Sequence, residues 1–191
     1  MRAGANGMGS NGKLVHPDKL GMNTEPFWLT KARTHIGTRE IAGPKHNTTI
    51  MAWIKRLGTK ILGIAVNDDE TPWCGTFAAH VLHTECGFAV PKIAVRASSW
   101  DSWGVKVAKP YLGAVARFQR PGGGHVGLIT GQSKDGKLLR ILGGNQSNAV
   151  NETWIERSRA VAYRWPAGEA LPTILAPVMD SRGAKVSTNE E

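Results

Sequence analysis

The residue best suited to covalent chemistry is Cys74, in the run Asp69-Glu70-Thr71-Pro72-Trp73-Cys74-Gly75-Thr76-Phe77. The run reads as a helix start. Thr71 is placed to cap it, because its hydroxyl accepts from a backbone N–H that the first turn leaves unpaired. Pro72 then suits the first helical position, where no N–H is needed. Cys74 is the third. The positive end of the helix dipole favours thiolate over thiol there, as a nucleophile requires. The competing reading of a lone cysteine is a small residue packing a helix.

A thiol nucleophile needs a base, and the base needs a group to orient it. His125 follows Gly122-Gly123-Gly124, a turn whose missing side chains leave the imidazole approachable. Asn145 stands in Leu142-Gly143-Gly144-Asn145-Gln146. Residues 125–130 and 137–142 read as strands joined by a hairpin turn at 133–136, since Asp135-Gly136 favours positive φ. His125 and Asn145 both lie about ten residues from that turn, so the hairpin register carries them to one end of a sheet. Cysteine, histidine and asparagine in that order, on helix, strand and strand, form the layout of a papain-like cysteine hydrolase.

Several elements must hold these groups. Trp28, Leu29, Ala32 and Ile36 predict a short helix opened by Glu25-Pro26 and closed by Gly37. Asn47 caps a second helix with Ile50, Trp53, Ile54 and Leu57 on one face, ended by Gly58. Phe77, Ala78, Val81 and Leu82 stripe the cysteine helix, which stops at Gly87. A short helix is expected over 97–103. Strands are expected over 114–118, 125–130, 137–142, near 154–155 and over 160–165. Helices first and antiparallel strands second predict an α+β domain. Residues 1–24 read as a flexible leader without the apolar stretch of a secretory signal. Residues 25–170 form the expected catalytic domain. Residues 171–191 read as an extension ending in a polar tail from Asp180.

The chain has 191 residues, enough for one domain with a sizeable core. Its charge of +9 is uneven: residues 1–62 carry ten Lys/Arg against three Asp/Glu, and 113–170 carry eight against four. A basic surface suits a polyanion such as nucleic acid, an anionic membrane face or an anionic wall polymer. No basic arm and no nucleic-acid motif is present. Cys74 and Cys86, on one helix, stand about 18 Å apart, beyond disulfide reach. The series His80-x-x-His83-x-x-Cys86 lacks a fourth zinc ligand and reads as a solvated helix face, so neither metal nor cofactor is expected.

Four motifs together carry a resemblance: Asp69-Glu70-x-Pro72-Trp73-Cys74, Ser98-x-Trp100-x-x-Trp103-Gly104, Gly124-His125-Val126-Gly127, and Leu142-Gly143-Gly144-Asn145-Gln146-x-Asn148. From about Phe27 to Pro166 the chain resembles a phage-associated branch of the CHAP/NlpC-type peptidoglycan hydrolases. The resemblance implies a papain-like fold with N-terminal helices packed on an antiparallel sheet. It implies a thiolate–imidazolium mechanism without metal, and cleavage of a cell-wall amide or peptide bond. Carried over, Cys74 is the nucleophile, His125 the base and Asn145 the residue orienting it. Trp73, Asp69, Glu70, Gly124 and Gln146 are candidate substrate contacts. Many family members place a Glu two residues before the Asn, and here that position is Gly143.

The expected partner is bacterial peptidoglycan, met by a monomer with no specific nucleic-acid role. The expected protein is made in a bacterial cytoplasm without a signal peptide. It reaches the wall through a holin or another partner, or on a virion. Two other readings stand beside this one: a basic nucleic-acid-binding or structural virion protein, and a secreted antibacterial toxin using the same chemistry.

Overall fold

The computed structural model describes residues 25–188 and 190; the expected leader lies outside the described residues. Helices α1 (Phe27–Arg33), α2 (Thr48–Leu62) and α3 (Cys74–Ala79) precede the strands. Helix α1 buries Trp28, Leu29 and Ala32. Ile36 falls past its end and is exposed. Asn47 caps α2 as expected, its Oδ1 accepting from the N–H groups of Thr49 (2.8 Å) and Ile50 (3.2 Å). Ile50, Trp53, Ile54 and Leu57 are buried on one face. Gly58 kinks α2 rather than ending it, and one more turn runs to Leu62 before Gly63 closes it in the left-handed region.

The start of α3 differs from the sequence expectation. Cys74 is its first residue, Trp73 holds the capping position, and no side chain caps it. Thr71 turns back to Asp68 instead: its N–H donates to Asp68 Oδ1 at 2.6 Å, and its hydroxyl bonds the same carboxylate. Pro72 therefore precedes the helix, and Cys74 sits two positions nearer the helix N-terminus than the Thr71 cap implied. After Ala79 the coil widens into a π-helix, His80–Glu85.

The strands are β1 (Val105–Lys106), β2 (Val115–Arg120), β3 (Gly123–Ser133), β4 (Leu138–Gly143), β5 (Asn151–Glu156), β6 (Ala160–Trp165), β7 (Val178–Met179) and β8 (Val186–Ser187). They form one sheet in the order β1-β6-β2-β3-β4-β5-β8, with β7 paired to β3. All pairings are antiparallel except β3 with β7 and β5 with β8. The chain is thus α+β with a mostly antiparallel sheet. The turn before His125 is tighter than three glycines suggested, because Gly123 and Gly124 already pair with Arg120 and Gln119.

The sheet is curled. Strands β5 and β6 stand four places apart in the order, roughly 19 Å if the sheet were flat. Only the short 3-10 helix Arg157–Arg159 joins them, and such a link reaches at most about 14 Å. The sheet must bend to bring the end of β5 to the start of β6. The segment after 170 packs on this sheet through β7 and β8, where a free polar tail was expected.

Helix α3 lies against β3 and β4 at very short range. A side chain at Gly144 would place its first carbon 2.5 Å from Phe77 Cβ, and one at Gly75 would place it 2.3 Å from the Ala94 carbonyl oxygen. The motif tryptophans build that second wall: Trp100 Nε1 donates to the Ala94 carbonyl (3.0 Å) and Trp103 Nε1 to the Ala89 carbonyl (2.6 Å). Among the described residues no helix is long and apolar enough to cross a membrane. Gly75→Ala forces this backbone wall away from α3 and is expected to destabilise the fold by about 1–3 kcal/mol, read from the urea midpoint; an unchanged midpoint would show that the wall yields freely.

Candidate active site

Cys74 begins α3 and is 6% exposed. The backbone N–H groups of Val126 and Gly75 face its sulfur. Because Val126 follows His125 in β3, the thiol lies against the stretch of strand that carries the imidazole. Burial pushes the Cys74 thiol up, and the facing N–H groups and the Arg120 charge only partly oppose it. The helix start was expected to favour thiolate; in this closed site desolvation outweighs it.

His125 is 1% exposed and pairs across the ladder with Phe118. Its Nε2 meets Gln146 Oε1 at 3.1 Å. The Gln146 amide cannot be turned the other way without loss, since its Nε2 donates to the carbonyls of Ile141 (3.2 Å) and Asn151 (2.6 Å). Gln146 therefore offers His125 an acceptor, and a neutral His125 must carry its proton on Nε2. Nδ1 is left with a lone pair, the arrangement a general base requires. Burial lowers the imidazole to about 4, against the opposing pull of Glu190 and the Gln146 bond; Arg120 and Arg159 lower it further. Burial thus disfavours the charged form of both groups.

The expected orienting residue was Asn145, and that assignment is corrected. The register Leu128↔Leu142 counts on to His125 and Asn145, but the β3–β4 ladder ends before it reaches them. The chain then turns left-handed at Asn145, with φ 57°. Asn145 Oδ1 is buried without a hydrogen-bond partner, while the next side chain takes the histidine. Counting from the turn locates the sheet end, and it does not separate two adjacent amides. Gly143 gains an explanation as well: a first side-chain carbon there would sit 2.9 Å from His125 Nε2 and 3.0 Å from Gln146 Oε1. A glutamate at 143 would enter the bond that orients the base.

The other candidate contacts divide. Asp69 is fully buried and accepts from the N–H groups of Ile41 (3.1 Å) and Asn47 (2.8 Å) and pairs with His46 Nδ1 (2.8 Å). Its carboxylate ties the 41–47 loop to the start of α2. Glu70 accepts from the Gly43 N–H at 2.8 Å. Trp73 is fully buried, and its Nε1 donates to Glu40 Oε2 at 2.9 Å. These three brace the approach to α3; Asp69 and Trp73 are buried, and Glu70 is exposed. Gln146 is consumed by the histidine network. Gly124 remains partly exposed beside Ala97 and Arg117.

A second cluster stands apart from the thiol. His35 Nε2 and His80 Nε2 lie 3.0 and 3.5 Å from Glu85 Oε1. The i→i+5 pattern of the π-helix brings His80 and Glu85 together. His80 is buried and stacked on Trp53, with ring centroids 4.9 Å apart. The solvated face expected for His80, His83 and Cys86 is thus corrected: His83 Nδ1 donates to the Phe88 carbonyl and Cys86 is half-buried. His35, His80 and Glu85 are the described residues that could hold a metal ion. They supply three of zinc's usual four ligands, and here Glu85 already serves both imidazoles.

Comparison with known protein families finds no match, and comparison with characterised protein sequences finds none.

Burial holds both His125 and His80 to about 4, against about 6.5 in an unfolded chain. The unfolded state takes up these protons first, so stability is complete above about pH 6.5. It falls as the pH drops towards 4, by up to about 3 kcal/mol per histidine. Urea midpoints across that window measure the loss. His80→Gln is expected to flatten the slope, and an unchanged slope would place the acid sensitivity elsewhere.

Proposed function

We propose that this chain is a cysteine hydrolase of bacterial peptidoglycan with a papain-like fold. The observation that carries the reading is Cys74 at a helix start, packed against the strand of His125, with Gln146 leaving the Nδ1 lone pair available. The resemblance of the four motifs to CHAP/NlpC-type enzymes supports the substrate class. The target is a wall amide, either the muramoyl–alanine bond of an amidase or a stem-peptide bond of an endopeptidase.

The chemistry follows from the residue types. Cys74 Sγ attacks the amide carbonyl carbon as its proton passes to His125 Nδ1. The carbonyl electron pair moves to oxygen, and the Cys74 backbone N–H at the helix start donates to that oxyanion. The pair returns, the C–N bond breaks, and His125 gives its proton to the leaving amine. A thioester remains. Water attacks it as His125 removes a proton, and the released sulfur regains a proton from the imidazolium. Gln146 holds the ring throughout, and no metal enters the scheme.

The protein works as a monomer, made in a bacterial cytoplasm and delivered to the wall by a holin or another partner, or carried on a virion. The same chemistry serves a toxin. The positive charge of residues 113–170 supports a role in holding the enzyme to an anionic wall. It equally suits the alternative of a basic nucleic-acid-binding or structural virion protein, which has no use for the Cys–His–Gln arrangement.

Incubation with purified peptidoglycan separates these readings. The unaltered chain is expected to release soluble fragments. Cys74→Ala and His125→Ala are expected to release none above background, and Gln146→Ala about 10-fold to 100-fold less than the parent. No release by the parent, or equal release by Cys74→Ala, ends the enzyme reading. Mass spectrometry of the fragments identifies the bond. Release from whole walls is also expected to fall as salt rises, since exposed attraction is screened over about 8 Å at 0.15 M.

A further inference from the structure

With the thiol and the imidazole 6% and 1% exposed, no amide reaches the sulfur until something moves. One residue of the chain's last described segment acts on this site, since the charge of Glu190 reaches His125. Strand β8 pairs with β5, at Trp154↔Val186 and Ile155↔Ser187. Three residues beyond Ser187, the Glu190 side chain is 1% exposed. It receives both arms of one guanidinium: Arg159 Nη1 donates to Oε1 at 2.9 Å and Nη2 to Oε2 at 2.8 Å. Arg159 is aimed by further bonds, with Nε donating to the Gln119 carbonyl and Nη1 to the Ser187 carbonyl, both at 3.0 Å.

This ion pair stands at the catalytic end of the sheet. Phe118 on β2 pairs with His125 on one side and with Ala160, the residue after Arg159, on the other. Arg159 and His125 are therefore about two strand spacings apart, roughly 10 Å. The charges of Glu190, Arg159 and Arg120 all act on His125, and that of Arg120 on Cys74 as well. A planar guanidinium is shaped for a carboxylate and does not distinguish one carried by the protein from one carried by a ligand. A stem peptide carries carboxylates beside its amide bonds.

We propose that Arg159, with Arg120 beside it, is the subsite for a substrate carboxylate next to the scissile amide, and that Glu190 occupies it as a tethered competitor that keeps Cys74 covered. The substrate half of this proposal rests on the hydrolase reading; the covering of Cys74 does not. A tethered ligand acts at an effective concentration on the order of millimolar. Small soluble peptides therefore compete poorly, and a polymer with many carboxylates competes well.

The test follows Cys74 alkylation by iodoacetamide, resolved from Cys86 by peptide mass spectrometry. Glu190→Ala and the isosteric Glu190→Gln are expected to speed Cys74 alkylation about tenfold or more over the parent, by freeing local opening. In the Glu190→Ala chain, acetyl-L-alanyl-D-glutamate is expected to slow alkylation, while the same peptide with its carboxylates amidated leaves it unchanged. Adding Arg159→Lys, which keeps the charge and loses the fork, is expected to remove that protection. Alkylation within twofold of the parent in both Glu190 variants, equal protection by the two peptides, or protection that survives Arg159→Lys each overturns the proposal. Peptidoglycan release by the same chains keeps the two readings apart. If the alkylation results hold and no chain releases fragments, the hydrolase reading fails while the covered carboxylate site stands. If the parent cuts and the Glu190 variants neither cut nor alkylate faster, this proposal fails and the hydrolase reading stands.

Discussion

A buried imidazole has one donor and one acceptor, and the fold must decide which nitrogen is which. Here the decision belongs to one carboxamide. Gln146 is held by the Ile141 and Asn151 carbonyls, and only its oxygen is left to meet His125. Asn151 returns the favour, its Nδ2 donating to the Gln146 carbonyl at 2.6 Å. The network therefore runs from β4 and β5 through one side chain to β3. Gly143 stays bare so that this bond can form, and Gly144 stays bare so that α3 can approach it. The placement of the thiol against β3 depends on both close contacts.

Much of this was legible in the sequence because it follows from local rules. The Asn47 cap, the apolar face of α2, the Asp135-Gly136 hairpin and the order of helices and strands all came from spacing and turn chemistry. So did the placing of Cys74 at a helix start and of His125 in a strand. The failures have physical causes. Thr71 looked like a cap because capping preference is a statement about residue type, whereas here its hydroxyl turns back to the Asp68 carboxylate, three residues earlier. Asn145 lost its expected place to Gln146 because left-handed residues follow β4. A register counted in twos cannot anticipate that turn. The burial of Glu190 could not be read at all, since nothing local marks a glutamate that will find an arginine thirty-one residues away.

Burial and charge work against each other at the site. Burial raises the thiol and lowers the imidazole, disfavouring the charged form of each. Glu190 favours a protonated His125, and the two arginines oppose it. The curled sheet gathers these charges, because the short link between β5 and β6 carries Arg159 to the end of β2 near His125. The basic composition of residues 113–170 is thus partly internal, since Arg120 and Arg159 act on the buried His125.

The loop after β4 holds Asn145, Ser147 and Asn148 at φ 57°, 52° and 62°. L-residues resist this region, though asparagine tolerates it better than most. The segment that orients His125 therefore stores conformational energy that a glycine would release. Selection for heat resistance alone would find these positions quickly, since relaxing them raises stability by a route that contacts do not reveal. The gain would come with a slacker hold on Gln146, so at these three residues stability and the orientation of His125 pull in opposite directions.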